Sequence, residues 1–153
     1  MKRILLLFAW LLLLSTGISG QELLIGDVFT GMKDSTSFNA HIYNKEYDVS
    51  MHINFYDTDI IVPQMELFGS LPGYLTNGHS IFCWLITDVE LRDDHTADLV
   101  LVNESGTEDL TATLTCNNDS TYTLNQQKGS TLKVLKGKKW QKLPTSMTFI
   151  RKK

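Results

Sequence analysis

The sequence predicts an all-β protein, an antiparallel up-and-down meander that closes into a small β-barrel. Three observations predict this fold: apolar and polar residues alternate along most segments, connections after residue 80 are short, and no amphipathic pattern continues beyond about two helical turns. Short connections join antiparallel neighbours, which favours the meander. The alternative is a two-sheet β-sandwich, which needs a long crossover, and residues 57–80 leave room for one.

The first 20 residues are typical of a secretory signal. Two basic residues precede an apolar run over 4–14, and small residues continue to Gly20. This run is too short for a membrane span, which needs about 20 residues. We therefore expect residues 1–20 to be a cleaved signal peptide and residues 21–153 to be a single all-β domain. The protein would be periplasmic or extracellular, without a membrane span.

The predicted strands share an alternating pattern and are separated by residues typical of turns, such as Arg-Asp-Asp-His at 92–95. They cover residues 25–31, 38–43, 48–56, 58–62, 65–70, 80–91, 95–103, 109–116, 120–126, 130–136, 138–142 and 146–151. In the strand at 109–116, threonines alternate with apolar residues such as Leu114 and Cys116, which indicates one buried face. No internal repeat or linker interrupts the pattern, so it indicates one domain.

The strand at 80–91 differs, because residues 81–86 are apolar on both sides of the pleat. A strand of this kind is covered on both faces. We expect residues 64–79, the longest irregular stretch, to form the cover, either as a packed loop or as a lid over a cavity mouth. The side chains of this predicted lid or contact surface are Phe68, Tyr74, Phe82 and Trp84.

Alternation also assigns an inward face to the strands, and a closed barrel can enclose a small ligand on that face. The candidate ligand-contacting residues are Leu85, Val89, Leu91, Leu114, Tyr122 and Leu124. The alternative is that these side chains fill the barrel completely.

The two cysteines, Cys83 and Cys116, lie in predicted strands, and export would permit a disulfide between them. In a meander one strand separates theirs, which places them about 10 Å apart. Bridged Cα atoms lie at most about 7 Å apart. The spacing therefore favours two buried thiols over a bridge. Neither cysteine lies at a turn or helix start that would activate it as a nucleophile.

Charge is distributed unevenly along the chain. Residues 128–153 contain nine lysines and arginines and no acid, whereas residues 21–127 contain three bases and all 17 acids. Either the basic strands pair with acidic ones as the barrel closes, or they form a patch for an anionic partner such as a membrane surface or polyanion. The patch would contain Lys136, Lys138, Lys139, Lys142, Arg151, Lys152 and Lys153. Nucleic acid is not expected, because only Trp140 offers an aromatic ring among these bases.

Searches for catalytic and metal-binding patterns find little. The four histidines lie at no metal-ligand spacing, although His41 and His52 fall on strands that can be hairpin neighbours. Residues 57–59 lack the glycine and glutamate of a calcium loop, and the chain has no phosphate loop or nucleophile elbow. We predict no enzyme, no cofactor and no metal. Glycosylation sequons begin at Asn103 and Asn118, and we interpret both as chance occurrences.

A chain of this length built from strands in a meander resembles the calycin group, which comprises lipocalins and fatty-acid-binding proteins. The resemblance is architectural and covers residues 25–151. Residues 25–32 lack the group's Gly-x-Trp and no helical lid follows them, so we transfer no site residue. The resemblance implies an exported, non-catalytic barrel that binds a small apolar ligand. The alternative is a protein-interaction module, such as an inhibitor, an immunity protein or an envelope component.

Overall fold

The computed structural model describes residues 36–153, which contain twelve strands and one 3₁₀ helix, Glu66–Phe68. The strands are β1 (Asn39–Asn44), β2 (Val49–Asn54), β3 (Ile60–Ile61), β4 (Ser70–Leu71), β5 (Gly73–Thr76), β6 (Cys83–Leu91), β7 (Thr96–Asn103), β8 (Asp109–Asn118), β9 (Thr121–Gly129), β10 (Lys133–Lys136), β11 (Lys139–Lys142) and β12 (Ser146–Arg151). The predicted signal peptide and the predicted strand at 25–31 lie outside the described residues.

Eight of these strands form a closed antiparallel barrel in the order β1-β12-β9-β8-β7-β6-β5-β2. The chain runs up and down around the barrel, and β1 closes it by pairing with β12, where Ile42 lies opposite Arg151. The alternation seen in the sequence is the cause: on β8, Leu110 and Leu114 are buried while the threonines between them face outward. The predicted fold class is confirmed, and a sandwich is not formed.

Two hairpins are inserted between barrel strands and form separate two-stranded sheets. The β3–β4 hairpin lies between β2 and β5 in the chain, and the β10–β11 hairpin lies between β9 and β12. The strands predicted at 130–136 and 138–142 therefore exist, but outside the barrel. The strand predicted at 65–70 is wrong, because this segment forms the 3₁₀ helix and only reaches β4 at Ser70.

Strand β5 lies within residues 64–79, which the sequence predicts to be irregular. The Pro72-Gly73 pair suggests a turn, but Gly73 begins β5 and pairs with Ile53 on β2. A Cβ atom at this position would collide with the carbonyl oxygen of His52 and lie 3.1 Å from the Cα of Ile53. Glycine is therefore required for the close approach of two strands, rather than for a turn.

Side chains fill the barrel interior, and every barrel strand contributes to one continuous core. The largest fully buried side chains of the barrel strands are Tyr122, Phe149, Ile42, Met51, Ile53, Leu75, Ile86, Leu99, Leu101, Leu110 and Leu114. A barrel of eight strands is just wide enough to be filled in this way. Each fully buried aliphatic or aromatic side chain stabilises the fold by about 1.5–3 kcal/mol, so the interior acts as the core of the domain.

The β10–β11 hairpin covers one end of the barrel, which we call the hairpin end. Leu132, Val134 and Leu143, which lie on or beside the hairpin, are buried in the interior core. The indole Nε1 of Trp84 donates a hydrogen bond to the carbonyl oxygen of Lys133 at 2.9 Å. The hairpin is thus attached to the barrel through apolar contacts and its own backbone.

Phe38 covers the opposite end of the barrel, which we call the Phe38 end. Its ring stacks on that of Phe55 with the centroids 5.3 Å apart. The hydroxyl of Tyr122 donates to the carbonyl oxygen of Ser37 at 2.6 Å, and the guanidinium of Arg151 donates to the same oxygen at 3.1 Å. These bonds attach the segment before β1 to β9 and β12.

A β-bulge around Thr87 changes which residues of β6 face inward. Ile86 is fully buried in the interior core, and after the register shift Val89 packs against the same core. One extra residue inverts the alternation, so Leu85 lies on the outer face while Leu91 follows Val89. The prediction that Leu85 shares an inward face with Val89 and Leu91 is therefore wrong.

The two cysteines are buried free thiols. Cys116 belongs to the interior core, whereas Cys83 lies on the outer face of β6 with Leu85. Strand β7 separates β6 from β8, as the meander predicts. The preference for two thiols over a bridge is confirmed, and the barrel wall itself keeps the two sulfur atoms apart.

Candidate functional site

An open groove of about 530 Å³ lies on the outer face of β2, β5 and β6, and we call it the outer groove. Its sides are residues 62–64 and 78–81. Outward-facing side chains of the three strands form its floor: Ser50, His52, Tyr74, Thr76 and Cys83. The groove therefore offers aromatic rings, hydroxyls and imidazoles beside apolar side chains.

A second apolar cluster, the outer cluster, supports this groove from one side. It contains the buried residues Val62, Tyr74, Cys83 and Leu85, with Ile60, Met65 and Leu71 packed against them. The prediction that the apolar part of strand 80–91 is covered on both faces is confirmed for Cys83 to Ile86. The cover is the β3–β4 hairpin together with Met65 of its connection, whereas the 3₁₀ helix buries no residue.

Three rings form a stack across the outer faces of β1, β2 and β5. Strand pairing places His41 opposite His52, and His52 opposite Tyr74. The ring centroids of His41 and His52 lie 3.7 Å apart, and those of His52 and Tyr74 lie 4.9 Å apart. The last two rings are nearly parallel, with an interplanar angle of 4°. The stack gives the groove a flat aromatic floor.

The histidines of the stack are held in their neutral forms. The pKa of His52 is lowered from 6.5 to about 4, mainly by burial and to a smaller extent by His41 and the charge of Lys152. Burial also lowers the pKa of His41, with a smaller contribution from Lys152. Uncharged rings can stack closely, whereas two imidazolium rings at this distance would repel each other.

His41 and His52 also border a second groove, of about 380 Å³, together with Asn39, Arg151 and Lys152. The Nε2 atom of His41 is buried and has no hydrogen-bond partner among the described residues. A buried polar atom without a partner costs about 1–3 kcal/mol. The stack therefore separates two grooves and contains one unsatisfied nitrogen.

The loop 77–81 forms one side of the outer groove and is tied down at two points. His79 Nε2 contacts Asp48 Oδ2 at 2.7 Å, and the Tyr43 hydroxyl donates to Asp48 Oδ1 at 2.9 Å. These hydrogen bonds, that of His79 first, lower the pKa of Asp48. The side-chain amide of Asn77 donates to the carbonyl oxygen of Leu135 on the hairpin. The loop thus has a defined position beside the groove.

The one thiol on the groove floor is not an activated nucleophile. The pKa of Cys83 is raised to about 11, mainly by burial and to a smaller extent by the charge of Glu104. Its sulfur lies 3.6 Å from the Sδ of Met65. At neutral pH this thiol is protonated, and nucleophilic attack requires the thiolate.

Within residues 36–153, no three histidine, cysteine or acidic side chains come together as metal ligands. Over the same residues, no helix is both long enough and apolar enough to cross a membrane.

The predicted ligand-contacting residues do not line the outer groove. Leu114, Tyr122 and Leu124 are fully buried in the interior core, and Val89 packs against it. Leu91 is 42% exposed at the end of β6. With Leu85 in the outer cluster, the predicted set is divided between the two faces of the barrel wall.

The predicted lid or contact residues are divided as well. Tyr74 lines the outer groove, and Phe68 is 52% exposed on the 3₁₀ helix. Phe82 packs edge-to-face against Trp140, with the ring centroids 5.2 Å apart. Trp84 is only 3% exposed and belongs to the interior core, so it is not part of a contact surface. Alternation explains this, because Trp84 shares its face with Ile86.

The basic segment does not form one patch. Lys136 to Lys142 lie on the hairpin, whereas Arg151 and Lys152 lie at the other end of β12. Among the bases of residues 128–153, Lys133 alone forms an ion pair with a described acid, Glu108, at 2.8 Å. Pairing of the basic strands with acidic ones therefore accounts for one of these bases.

The sequence identified some of this site but not its assembly. The sequence indicates that His41 and His52 lie on strands that can be hairpin neighbours, and this possible pairing is the only signal that brings them together. Ser50 and Thr76 carry no such signal, since threonine and serine face outward on many strands of this chain. Thr76 also belongs to β5, which the sequence did not predict.

The chain was compared with protein-family models, with curated proteins and with solved structures, and none of the three comparisons found a match. The eight-stranded, closed, antiparallel barrel is the level at which its architecture agrees with that of the calycins.

Proposed function

We propose that this protein is an exported, non-catalytic, calycin-like binding module that holds a small, largely apolar ligand in the outer groove. One observation carries the proposal: the interior is filled by buried side chains, whereas the outer groove is open and measures about 530 Å³. Pockets for small molecules typically measure about 300–1,000 Å³. The ligand is therefore assigned to the outside of the barrel wall rather than to its interior.

The lining of the groove indicates the ligand's chemistry. Val62, Ile81 and the ring of Tyr74 offer apolar contacts, and the stacked imidazole of His52 extends the flat surface. Aromatic ligands favour offset stacking on such rings. The hydroxyls of Ser50 and Thr76 offer hydrogen bonds. A flat apolar molecule with one or two hydrogen-bonding groups fits this lining.

A binding role agrees with the state of the ionisable groups. The Cys83 thiol is protonated at neutral pH, and His52 and Tyr74 are engaged in stacking. Covalent catalysis needs a nucleophile next to a base within hydrogen-bond reach. We therefore expect the ligand to leave the groove unchanged.

Native mass spectrometry of the protein purified from its host, followed by a panel of aromatic acids and lipids, tests this proposal. We expect a co-purified molecule or a mass shift with the panel. Ser50→Trp would fill the groove and abolish binding. Thr115→Trp, on the outer face of β8, adds the same ring away from the groove and should leave binding unchanged. Equal binding by both variants, or no binding to any compound, would overturn the proposal.

Protein recognition is a second candidate, favoured by exposed apolar side chains beside the groove. They lie on the segment 60–71 and on the loop 77–82: Ile61, Leu67, Phe68 and Ile81, exposed by 49%, 103%, 52% and 62%. Exposed apolar groups of this kind mark interaction surfaces. A partner bound there should persist at high salt and be lost from Leu67→Glu/Phe68→Glu. Loss of the partner at high salt alone would contradict this surface.

A further inference from the structure

The β10–β11 hairpin has a high positive charge that does not stabilise the hairpin itself. Residues 133–142 contain five lysines and no acid. Strand pairing places Lys133 opposite Lys142, and Lys136 opposite Lys139. Like charges directly opposite each other destabilise a strand pair. Hairpin stability therefore does not explain why these positions are lysines.

The contacts that hold the hairpin on the barrel leave most of its ammonium groups free. The apolar side chains of Val134 and its neighbours enter the core, and the barrel donates hydrogen bonds to hairpin carbonyl groups. Lys133 pairs with Glu108, and Lys136 lines a cavity with Asp48. The remaining three lysines have no partner among the described residues: Lys138, Lys139 and Lys142.

An exposed aromatic ring lies among these charges, with Lys142 on the same face of the hairpin and with Lys138 and Lys139 at the hairpin tip. Trp140 lies opposite Leu135 and is 49% exposed. The Nζ of Lys133 lies 5.5 Å from its ring centroid, and the ring of Phe82 packs against its edge. Tryptophan and lysine occur together at membrane–water interfaces, where the ring enters the headgroup region and the ammonium groups stay in water.

We infer that the β10–β11 hairpin docks this protein on the surface of an anionic lipid bilayer. The charge complementarity is carried by lysine alone, and a lysine ammonium suits the diffuse charge of headgroups, whereas arginine suits bidentate recognition of one group. Two carboxylates, Glu104 and Glu108, line the cavity beside Trp140, and the five lysines outnumber them. A soluble polyanion would use the same charges but would not require the exposed ring.

The proposal makes the hairpin end the membrane-facing end of the barrel. The outer groove runs along the side wall, so docking and ligand binding involve different residues. If the protein fails to bind bilayers, the proposal of a ligand in the outer groove is therefore unaffected. If it fails to bind any ligand, the proposal of membrane docking is likewise unaffected.

Co-sedimentation of the protein with vesicles tests the inference. We expect binding to phosphatidylcholine vesicles that contain about 30 mol% phosphatidylglycerol, no binding to phosphatidylcholine alone, and release at about 1 M salt. Each lysine near an anionic surface contributes about a factor of five in affinity, so Lys138→Gln/Lys139→Gln should bind roughly 25-fold more weakly. The matched control is Lys152→Gln/Lys153→Gln, which removes the same charge at the Phe38 end and should retain nearly full affinity.

Tryptophan fluorescence gives an independent result. For residues 21–153, which lack Trp10 of the predicted signal peptide, vesicles should shift the emission to shorter wavelength. Trp140→Phe should remove that shift, because Trp84 is already buried. Unfolding midpoints should be unchanged in both double variants, since the substituted lysines are exposed. Equal loss of affinity in the two double variants, absence of binding to the anionic vesicles, or binding to dextran sulfate without binding to vesicles would each overturn the inference.

Discussion

The wall formed by β5 and β6 and the wall formed by β7 and β8 belong to one barrel but differ in what covers their outer faces. We call them the covered wall and the open wall. On the open wall, threonine and aspartate side chains face water while leucine and alanine face the core. On the covered wall, Cys83 to Ile86 are buried on both faces. A strand that is apolar on both faces therefore marks where a covering segment is attached.

The two walls also show that the size of a depression says little about its use. A depression of about 550 Å³ extends from the second half of β6 across the open wall, and its volume is close to that of the outer groove at about 530 Å³. Charged side chains such as Asp88, Glu90 and Arg92 line the former. Stacked rings and apolar side chains line the latter. The lining, and the segment that covers it, distinguish the candidate site.

Of the changes that test the difference between the two walls, loss of a buried side chain from the outer face should have the largest effect on the free energy of unfolding. Leu85→Ala should lower the free energy of unfolding by about 2–5 kcal/mol, the range for buried leucine, because Leu85 is 3% exposed in the outer cluster. Thr115→Ala, on the outer face of the open wall, should cost no more than about 0.5 kcal/mol. Urea denaturation measures both. Similar values for the two variants would mean that the outer cluster is not part of the folded core.

A smaller effect is expected where β5 approaches β2. Gly73→Ala should cost about 3 kcal/mol, since the added methyl group meets the backbone of His52 and Ile53 and one strand must shift. Gly106 lies in the turn of the open wall, and no atom lies within 4 Å of a carbon added there, so Gly106→Ala causes no steric collision. Its φ of +71° is nevertheless unfavourable for alanine. That change should cost about 1 kcal/mol. The same denaturation experiment decides, and a larger cost at Gly106 would contradict the close approach.

The smallest effect concerns pH and the ring stack. The pKa of His52 falls from 6.5 to about 4 on folding, so the unfolded chain binds more protons in this interval. Stability contributed by the neutral ring is complete above pH 6.5 and is lost as the pH falls towards about 4. We expect a loss on the order of 1 kcal/mol, after allowing for partial exposure of the ring.

Variants separate this effect from general acid denaturation. His52→Phe keeps a flat ring in the stack and should flatten the pH dependence of the unfolding free energy between pH 4 and 6.5. Thr115→Ala, on the outer face of the open wall, changes no ionisable group and should leave that dependence unchanged. An unaltered slope in His52→Phe would show that the stack does not set the pH response.

Most of the barrel follows from the sequence because its strands alternate strictly. On β8 and β9, Leu114, Tyr122 and Leu124 lie inward, as period-two alternation requires. Two features could not be predicted in this way. A bulge has no residue signature at Thr87, and a glycine after proline indicates a turn, although Gly73 begins a strand.

The candidate site was less predictable than the fold, since its residues meet only through strand order. His52 lies beside Tyr74 because β2 pairs with β5, and β5 was hidden in a stretch rich in turn residues. Apolar and polar residues alternate in β10 and β11 as they do in the barrel strands. No local pattern therefore reveals that this hairpin lies outside the barrel. Lysines opposite one another became visible only with the register of that hairpin.

Closure of the barrel by β12 has a consequence for the kinetics of folding. The edge of β1 that faces β12 stays unpaired until β12 is in place, because Ile42 pairs with Arg151 near the end of the described residues. Contacts between residues so distant in sequence slow folding, typically to milliseconds or seconds. Until then β1 and β9 each expose a row of unpaired backbone groups, which can pair with another chain. A chain in which β12 has not yet docked is thus an open sheet, and the docking of β12 removes both edges at once.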